Sequence, residues 1–368
     1  MALIALPCKG RPVYPPLTLA YVATLLEQRR HIVRIYDLGL DPQVNIETTF
    51  QTLHSFRPQV VVVSGDQSEG LDSAVEALHE DMHTRVLAVR MSRSGVDASP
   101  VCIQVLQWLD RQRGVEVGRP TPLDLDQLPL PARHLLSLES YNLRAVGGEL
   151  QTTLLVGALE ADGRFVLRSP TKLIAELRSV SHEFGLRHYL IADVPVTLDR
   201  AWLVELLTRL CDAHLSISWE AIAQPEQLDP ELVAHMARAG CEGIRFQLDA
   251  ANVFESTATR EALRKAVTYA RQYGIFVRAN LKLEPPYESI AHLVDVAATF
   301  GLDDVHFDVA VEASSVGADA THLREMARII YDQGRDRQRL INRFGATLGS
   351  LIWKLRGPRG VGAVDDDG

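Results

Sequence analysis

Closely spaced cysteines are missing from this chain. Its 368 residues contain only four cysteines, and these lie far apart in the sequence, at Cys8, Cys102, Cys211 and Cys241. That spacing gives no support to a disulfide framework, a zinc site or iron–sulfur ligation. We interpret the four side chains as reduced, mostly buried thiols of a cytoplasmic protein.

Other absences narrow the class of protein further. No run of about 18 apolar residues occurs, so no membrane-spanning segment is predicted. The apolar start of the chain has no basic region before it and no cleavage site, so we predict a first strand there rather than a signal peptide. A net charge of −9 argues against general nucleic-acid binding. Walker, GxSxG and HExxH motifs do not occur.

Strand and helix patterns alternate through residues 1–124. The apolar run 3–7 is followed by a segment with apolar residues at helical spacing, and the β-branched run 60–63 is typical of a strand buried on both faces of a sheet. This alternation predicts a doubly wound parallel sheet. Ligands of such sheets lie beyond the carboxyl ends of the strands, which here are the loop 8–16 and the turn 64–67.

Four residues of this rim are candidates for contact with a ligand: Pro16, Ser64, Gly65 and Asp66. Gly65 allows close approach of the backbone, and the side chains of Ser64 and Asp66 offer hydrogen bonds. The alternative is that these residues only begin the next helix. Both interpretations stay open at this point.

The second half of the chain repeats a helix followed by a strand. Ser169 and Pro170 are typical of a helix start, as are Asp229 and Pro230, while Gly185 is typical of a helix end. We predict a connector over residues 125–150 and a partial β/α barrel of roughly six units over residues 151–320.

Two segments carry a family resemblance. YPPLTLAYVATLLEQRRHIVRIYDL (14–38) and LDQLPLPARHLL (125–136) resemble radical S-adenosylmethionine (SAM) proteins that have an N-terminal cobalamin-binding domain. The resemblance implies a corrin bound to the first domain. It also implies a barrel in which a CxxxCxxC loop holds a four-iron cluster that binds SAM.

The cluster loop itself is absent. The corresponding segment, TTLLVGALEADGRFVLRSP (152–170), contains no cysteine, and its only acidic residues, Glu160 and Asp162, are poor ligands for an iron–sulfur cluster. We therefore expect no cluster, and we regard SAM binding as doubtful. Cobalamin remains a candidate cofactor, although the DxHxxG loop that would supply an axial histidine is missing.

Some positions of the family's motifs are kept. Asp193 matches the first acid of the second-strand motif, Asp249 matches the acid of a strand that contacts SAM, and Pro286 and Glu288 match the GxPGET segment. The resemblance implies cofactor contacts for Asp249, Pro286 and Glu288.

Acidic residues of the barrel mouth offer a second hypothesis. Asp193, Asp249 and Glu284 are candidate acid–base or cation-binding groups, together with Asp308 and Glu312. The alternative is that these carboxylates pair with neighbouring arginines such as Arg245 and Arg278.

The C-terminal region, residues 321–368, is predicted as a basic helical tail with a disordered end. Residues 321–359 contain nine Lys or Arg and three Asp or Glu, together with apolar residues at helical spacing. Such a helix packs across its own barrel, or it binds an anionic membrane or an acidic partner.

These observations predict a radical-SAM-like protein that has lost cluster-dependent catalysis. A regulatory or binding role is expected, with an intact radical SAM relative as the candidate partner. The alternatives are a cluster-independent enzyme and a cobalamin-binding protein.

Overall fold

The structure is a computed structural model. It describes residues 1–7, 14–41, 46–65, 68–82, 84–90, 98–112, 124–159, 164–249, 256–283, 294, 297–309, 317–344, 348 and 350–352. The chain forms two compact units, Met1–Ile222 and Ala223–Gly368.

The first unit begins with a four-stranded parallel sheet. Its elements are β1 (Ala2–Ala5), α1 (Leu17–Gln28), β2 (Arg34–Asp37), α2 (Ile46–Phe56), β3 (Val60–Gly65), α3 (Ser68–Met82), β4 (Arg85–Arg90) and α4 (Ala98–Gln112). The strand order is β2-β1-β3-β4. Helices α1 and α4 share an apolar core on one face of the sheet, and α2 and α3 share a core on the other.

This arrangement is the predicted doubly wound sheet. All six residues of β3 are buried, which explains its continuous β-branched sequence. The order of the strands reverses between β1 and β3, so the ligand-binding crevice expected for this topology lies between their carboxyl ends.

A connector of three 3₁₀ turns follows, at Leu125–Gln127, Arg133–Leu135 and Leu138–Tyr141. The amide of Ala132 donates to the carbonyl of Ala20 on α1 at 3.0 Å, and the hydroxyl of Tyr141 donates to Asp37 at 2.9 Å. The connector is therefore attached to the N-terminal sheet.

The first strands of the second sheet also belong to this unit. They are β5 (Gln151–Thr153), β8 (His188–Ile191) and β9 (Ser218–Ala223), which pair in parallel and in that order. Between β5 and β8 lie an antiparallel hairpin of β6 (Gly157–Leu159) and β7 (Phe165–Leu167) and the helix α5 (Pro170–Phe184). Helix α6 (Arg200–Ala213) joins β8 to β9.

The caps of these helices confirm the turn chemistry of the sequence. The hydroxyl of Ser169 accepts from the amide of Lys172, Pro170 occupies the first turn of α5, and Gly185 ends the helix with a φ of 67°.

The second unit contains α7 (Pro230–Arg238), β10 (Cys241–Asp249), α8 (Thr257–Gln272), β11 (Phe276–Leu283), β12 (Asp304–Val309) and α9 (Gly317–Phe344). Strands β10, β11 and β12 are parallel neighbours. The carboxylate of Asp229 accepts from the amide of Leu232 and caps α7, as predicted. None of the helices in the described part of the chain is long and apolar enough to cross a membrane.

Candidate functional site

The segment that the sequence resemblance aligns with a cluster loop begins in the core of the first unit. It leaves β5 at Thr153, passes through the buried Leu154, Leu155 and Val156, and enters the hairpin β6–β7. Its amides and carbonyls are hydrogen-bonded: the amide of Leu154 donates to the carbonyl of Leu190, and the carbonyl of Val156 accepts from the amide of Arg168.

Asp193 attaches this segment to the barrel strands. It lies just beyond the carboxyl end of β8, and its Oδ2 accepts from the amides of Val156 and Gly157, both at 2.7 Å. The other oxygen, Oδ1, is buried and has no hydrogen-bond partner in the described structure. Burial raises the pKa of Asp193 to about 7, although the amides of Gly157 and Val156 favour the ionised form.

Gly157 is required by the closeness of this contact. A Cβ atom at this position would lie 3.0 Å from Leu167 Cδ2 and from the carbonyl oxygen of Val166, and 3.1 Å from Val194 Cγ2. A side chain would therefore separate the two strands of the hairpin or displace Val194, next to Asp193.

A buried ionic network lies beside the same segment. Glu176 of α5 is fully buried between Arg133 of the connector, at 2.9 Å, and Arg168, at 2.6 Å. Arg133 also donates to Thr152 Oγ1 and to the carbonyl of Thr153. Arg168 also donates to the carbonyl of Leu155 and to the hydroxyl of Tyr21 on α1.

The network joins four parts of the first unit: helix α1, the connector, the segment after β5 and helix α5. Burial would raise the pKa of Glu176, but Arg168 and Arg133 outweigh burial and hold that pKa below its ordinary value. Burial, followed by the charge of Glu176, raises the pKa of Tyr21. Glu176 is therefore an anion and Tyr21 a neutral phenol at neutral pH.

Sequence reasoning does not find this network. Arg133 stands out only as part of the connector motif, and nothing in the sequence pattern indicates the roles of Tyr21, Arg168 and Glu176. Arg and Glu are rarely fully buried, so their identities alone give no signal.

The predicted rim of the N-terminal sheet is described in part. Ser64 and Gly65 end β3 at the reversal point, but the hydroxyl of Ser64 is buried and donates to the carbonyl of Ile4 at 2.8 Å. Pro16 is buried and precedes the first turn of α1. Gly65 is buried as well, at the end of β3, where a Cβ atom would lie 3.3 Å from Leu6 Cδ1. Asp66 lies outside the described residues.

Polar side chains cover one face of the strands β10–β12. On the other face the side chains are apolar and buried, as in Phe246, Ala279 and Phe307. The register aligns three rows across the polar face: Arg245–Arg278–Asp304, Gln247–Asn280–His306 and Asp249–Lys282–Asp308. We call these nine residues the polar face. Gln247, Lys282 and His306 are exposed.

A solvated face is unusual for a parallel sheet, because parallel strands are normally covered on both sides and apolar throughout. The alternation of polar and apolar residues in β10–β12 instead resembles a half-buried sheet. We therefore interpret the polar face of β10–β12 as a candidate binding surface.

The structure describes only some of the other acidic residues that the sequence predicts for the barrel mouth. Asp249 ends β10, where the register sets it opposite Lys282, which in turn is opposite Asp308. Asp193 belongs to the first unit. The structure does not describe the side chain of Asp249. Four further predicted residues lie entirely outside the described residues: Glu284, Pro286, Glu288 and Glu312.

The described residues do not fit a four-iron cluster. Cys102 is on α4, Cys211 on α6 and Cys241 at the start of β10. No group of three or more His, Cys, Asp or Glu side chains suited to a metal ion occurs in the part of the chain that the structure describes. Cys8 lies outside the described residues, and the other three thiols lie on separate elements of the described structure.

Comparisons with known proteins agree with the fold. No protein-family model matches the chain. An uncharacterized methyltransferase of Pyrococcus horikoshii is 21% identical over 350 residues, which cover 80% of this chain and 76% of that protein.

Two solved structures of TsrM from Kitasatospora setae, a radical SAM methyltransferase, share the fold. One contains cobalamin and a 4Fe-4S cluster, with a TM-score of 0.61 and 15% identity over 84% of this chain and 74% of the other. The second contains tryptophan substrate and a SAM analog, with a TM-score of 0.64 and 15% identity over 83% and 72% of the two chains. The predicted fold class, a doubly wound sheet followed by a partial barrel, is confirmed.

Proposed function

We propose that this chain is a divergent relative of cobalamin-binding radical SAM methyltransferases that has lost cluster-dependent chemistry and acts as a binding or regulatory protein. The observation that carries the proposal is the segment after β5. Apolar side chains fill it, no cysteine occurs in it, and Asp193 ties it to the barrel through two backbone amides.

The test is anaerobic reconstitution with iron and sulfide, followed by measurement of bound iron and of 5′-deoxyadenosine after reduction with SAM present. We expect iron no higher than in a variant with all four cysteines replaced by alanine, and no 5′-deoxyadenosine. About four irons per chain that disappear in the cysteine-free variant, or formation of 5′-deoxyadenosine, would contradict the proposal.

Cobalamin is the cofactor that we propose to be retained. The support is the reversal of strand order between β1 and β3, where Gly65 is the last residue of β3. After incubation with hydroxocobalamin and desalting, the protein is expected to keep a corrin spectrum. Gly65→Leu should lose it, since the added side chain meets Leu6 and disturbs the end of β3, where the ligand is expected. A colourless wild-type protein would exclude this part of the proposal.

A regulatory role implies a partner, and we propose an intact radical SAM relative. The polar face of β10–β12 supports binding rather than a purely structural role. Titrating this chain into an assay of such a relative should change the rate of methyl transfer, and an unchanged rate would argue against regulation.

A further inference from the structure

Helix α9 carries two apolar faces. Ala327 and Tyr331 are fully buried against the sheet: the ring of Tyr331 meets that of Phe307 at a centroid distance of 6.0 Å, and its hydroxyl donates to the carbonyl of Leu302. Arg328 adds a hydrogen bond to Asp304 at 3.0 Å. This first face fixes the N-terminal half of the helix to β12.

The second apolar face is exposed. Its residues lie roughly 100–180° around the helix axis from Tyr331, on a helix of 3.6 residues per turn. We call it the exposed stripe, and it consists of Met326, Ile329, Ile330, Leu340, Phe344, Leu348 and Leu351. The last two belong to helical residues beyond the end of α9.

The exposed stripe holds a large share of the exposed apolar side chains in the described structure. Of the eleven large hydrophobic side chains that are exposed in the described structure, five belong to the stripe, and Ile329, Phe344 and Leu351 are 42%, 41% and 51% exposed. Single exposed apolar residues need no explanation, but here they form two groups on one side of the helix, within residues 326–330 and 340–351, with Gln333 and Arg337 between them. Such grouped apolar side chains mark an interaction surface.

The charges beside the stripe indicate its partner. One flank carries carboxylates in its first half, Glu325, Asp332 and Asp336, and guanidinium groups in its second half, Arg339 and Arg343. In an antiparallel pair of helices, each flank faces the same flank of the other helix in reverse direction. The acidic half of one copy then faces the basic half of the other.

We propose that the exposed stripe pairs with the stripe of a second copy of this chain, antiparallel, about a two-fold axis between Arg337 and Gln338. This single register sets Asp336 opposite Arg339 of the other copy, and Asp332 opposite Arg343. It also brings Phe344 beside the stripe's Ile330.

The pairs within one chain do not compete strongly with this arrangement. Asp336 and Arg339 are 3.5 Å apart in the same helix, and Asp332 binds Arg328 and Arg335, all at least a quarter exposed. Exposed pairs of this kind contribute little and exchange readily.

The first experiment measures molar mass by sedimentation and light scattering across a wide concentration range. The wild-type chain should form a dimer. Phe344→Glu and Ile329→Glu should each raise the dissociation constant at least about tenfold. The matched control, Asn342→Glu, changes an exposed residue on the opposite side of the same helix and should leave the dimer intact.

The second experiment tests the antiparallel register with charge variants. Asp336→Arg and Arg339→Asp should each weaken the homodimer, because like charges then meet across the axis. A mixture of the two variants should form heterodimers, because the two substituted side chains then face each other with opposite charges and restore the original attraction. That rescue depends on the sequence of charges and not on fold stability.

A wild-type protein that stays monomeric at every concentration would overturn the proposal, as would a dimer that survives both stripe substitutions. Failure of the charge variants to form heterodimers would overturn the antiparallel register. Flotation of a monomeric wild type with phosphatidylserine vesicles, lost in Phe344→Glu, would assign the stripe to a membrane surface instead.

Discussion

The carboxylate of Asp193 accepts a hydrogen bond from the backbone amide of Gly157 at 2.7 Å, and this contact joins the end of β8 to the start of the β6–β7 hairpin. The same oxygen accepts from the amide of Val156. In a fold shared with a cluster-containing methyltransferase, a residue at the carboxyl end of a barrel strand here holds a protein segment in place. Asp193 therefore holds this segment in place, and its candidacy as an acid–base group stays a prediction.

The first prediction concerns the pH dependence of stability. The carboxyl of Asp193 has an ordinary pKa of 3.8, and burial raises it to about 7 in the folded protein. The folded state thus holds an extra proton between these values, so the contribution of Asp193 to stability is complete below about pH 4 and is lost as the pH rises to about 7. The slope is at most about 1.4 kcal/mol per pH unit.

Urea unfolding of the wild type and Asp193→Asn at several pH values measures this contribution. The asparagine side chain does not titrate, so the difference in the free energy of unfolding, wild type minus variant, should decrease from pH 4 to pH 7 and then stay constant. Parallel curves across the whole range would show that Asp193 has an ordinary pKa.

The second prediction tests the close packing at Gly157. Gly157→Ala places a methyl group 3.0 Å from Leu167 and from a carbonyl oxygen of β7, so the free energy of unfolding should fall by about 1–3 kcal/mol. The control is Gly70→Ala in helix α3, where no atom lies within 4 Å of the added carbon. That variant should gain up to about 1 kcal/mol, since alanine favours helix. Equal effects of the two substitutions would show that the hairpin tolerates a wider separation.

The third prediction concerns the buried carboxylate of the ionic network. Glu176→Gln leaves Arg133 and Arg168 buried without an anion, and it should reduce the free energy of unfolding by about 3–5 kcal/mol. Glu183→Gln, at an exposed position of the same helix, should change it by less than about 0.5 kcal/mol.

Both glutamine variants are measured by urea unfolding with two probes, so that separate unfolding of the N-terminal sheet would be detected. Since the network includes Tyr21 of α1, loss of Glu176 should also weaken the attachment of the N-terminal sheet to α5. A loss below about 1 kcal/mol would mean that water satisfies the two arginines.

The fold was predictable from the sequence where periodicity and caps agree. The bounds of α2 and β10, and the starts of α5 and α7, follow from apolar spacing and from Ser, Asp and Pro at helix ends. The six strands β5 and β8–β12 match the expected number of barrel units.

The hairpin and the ionic network were not predicted, for different reasons. Strands β6 and β7 have three residues each, too few for a periodic signal. The network joins Tyr21, Arg133, Arg168 and Glu176, which are distant in sequence and become neighbours only through tertiary packing. The side of β12 on which His306 lies could not be predicted either, because the pattern of one strand alone does not show which side is covered.

The last prediction uses the alternation of exposed and buried side chains along β12. His306 is exposed on the polar face, whereas Phe307 is buried and touches Tyr331 of α9. His306→Ala should change the free energy of unfolding by less than about 0.5 kcal/mol, while Phe307→Ala should lose about 3–5 kcal/mol through the cavity it leaves. Thermal and urea unfolding of both variants provide the measurement. A large loss in His306→Ala would mean that the polar face is retained for stability. A negligible loss there, together with a large loss at Phe307, leaves the imidazole and its row partners Gln247 and Asn280 available for a ligand.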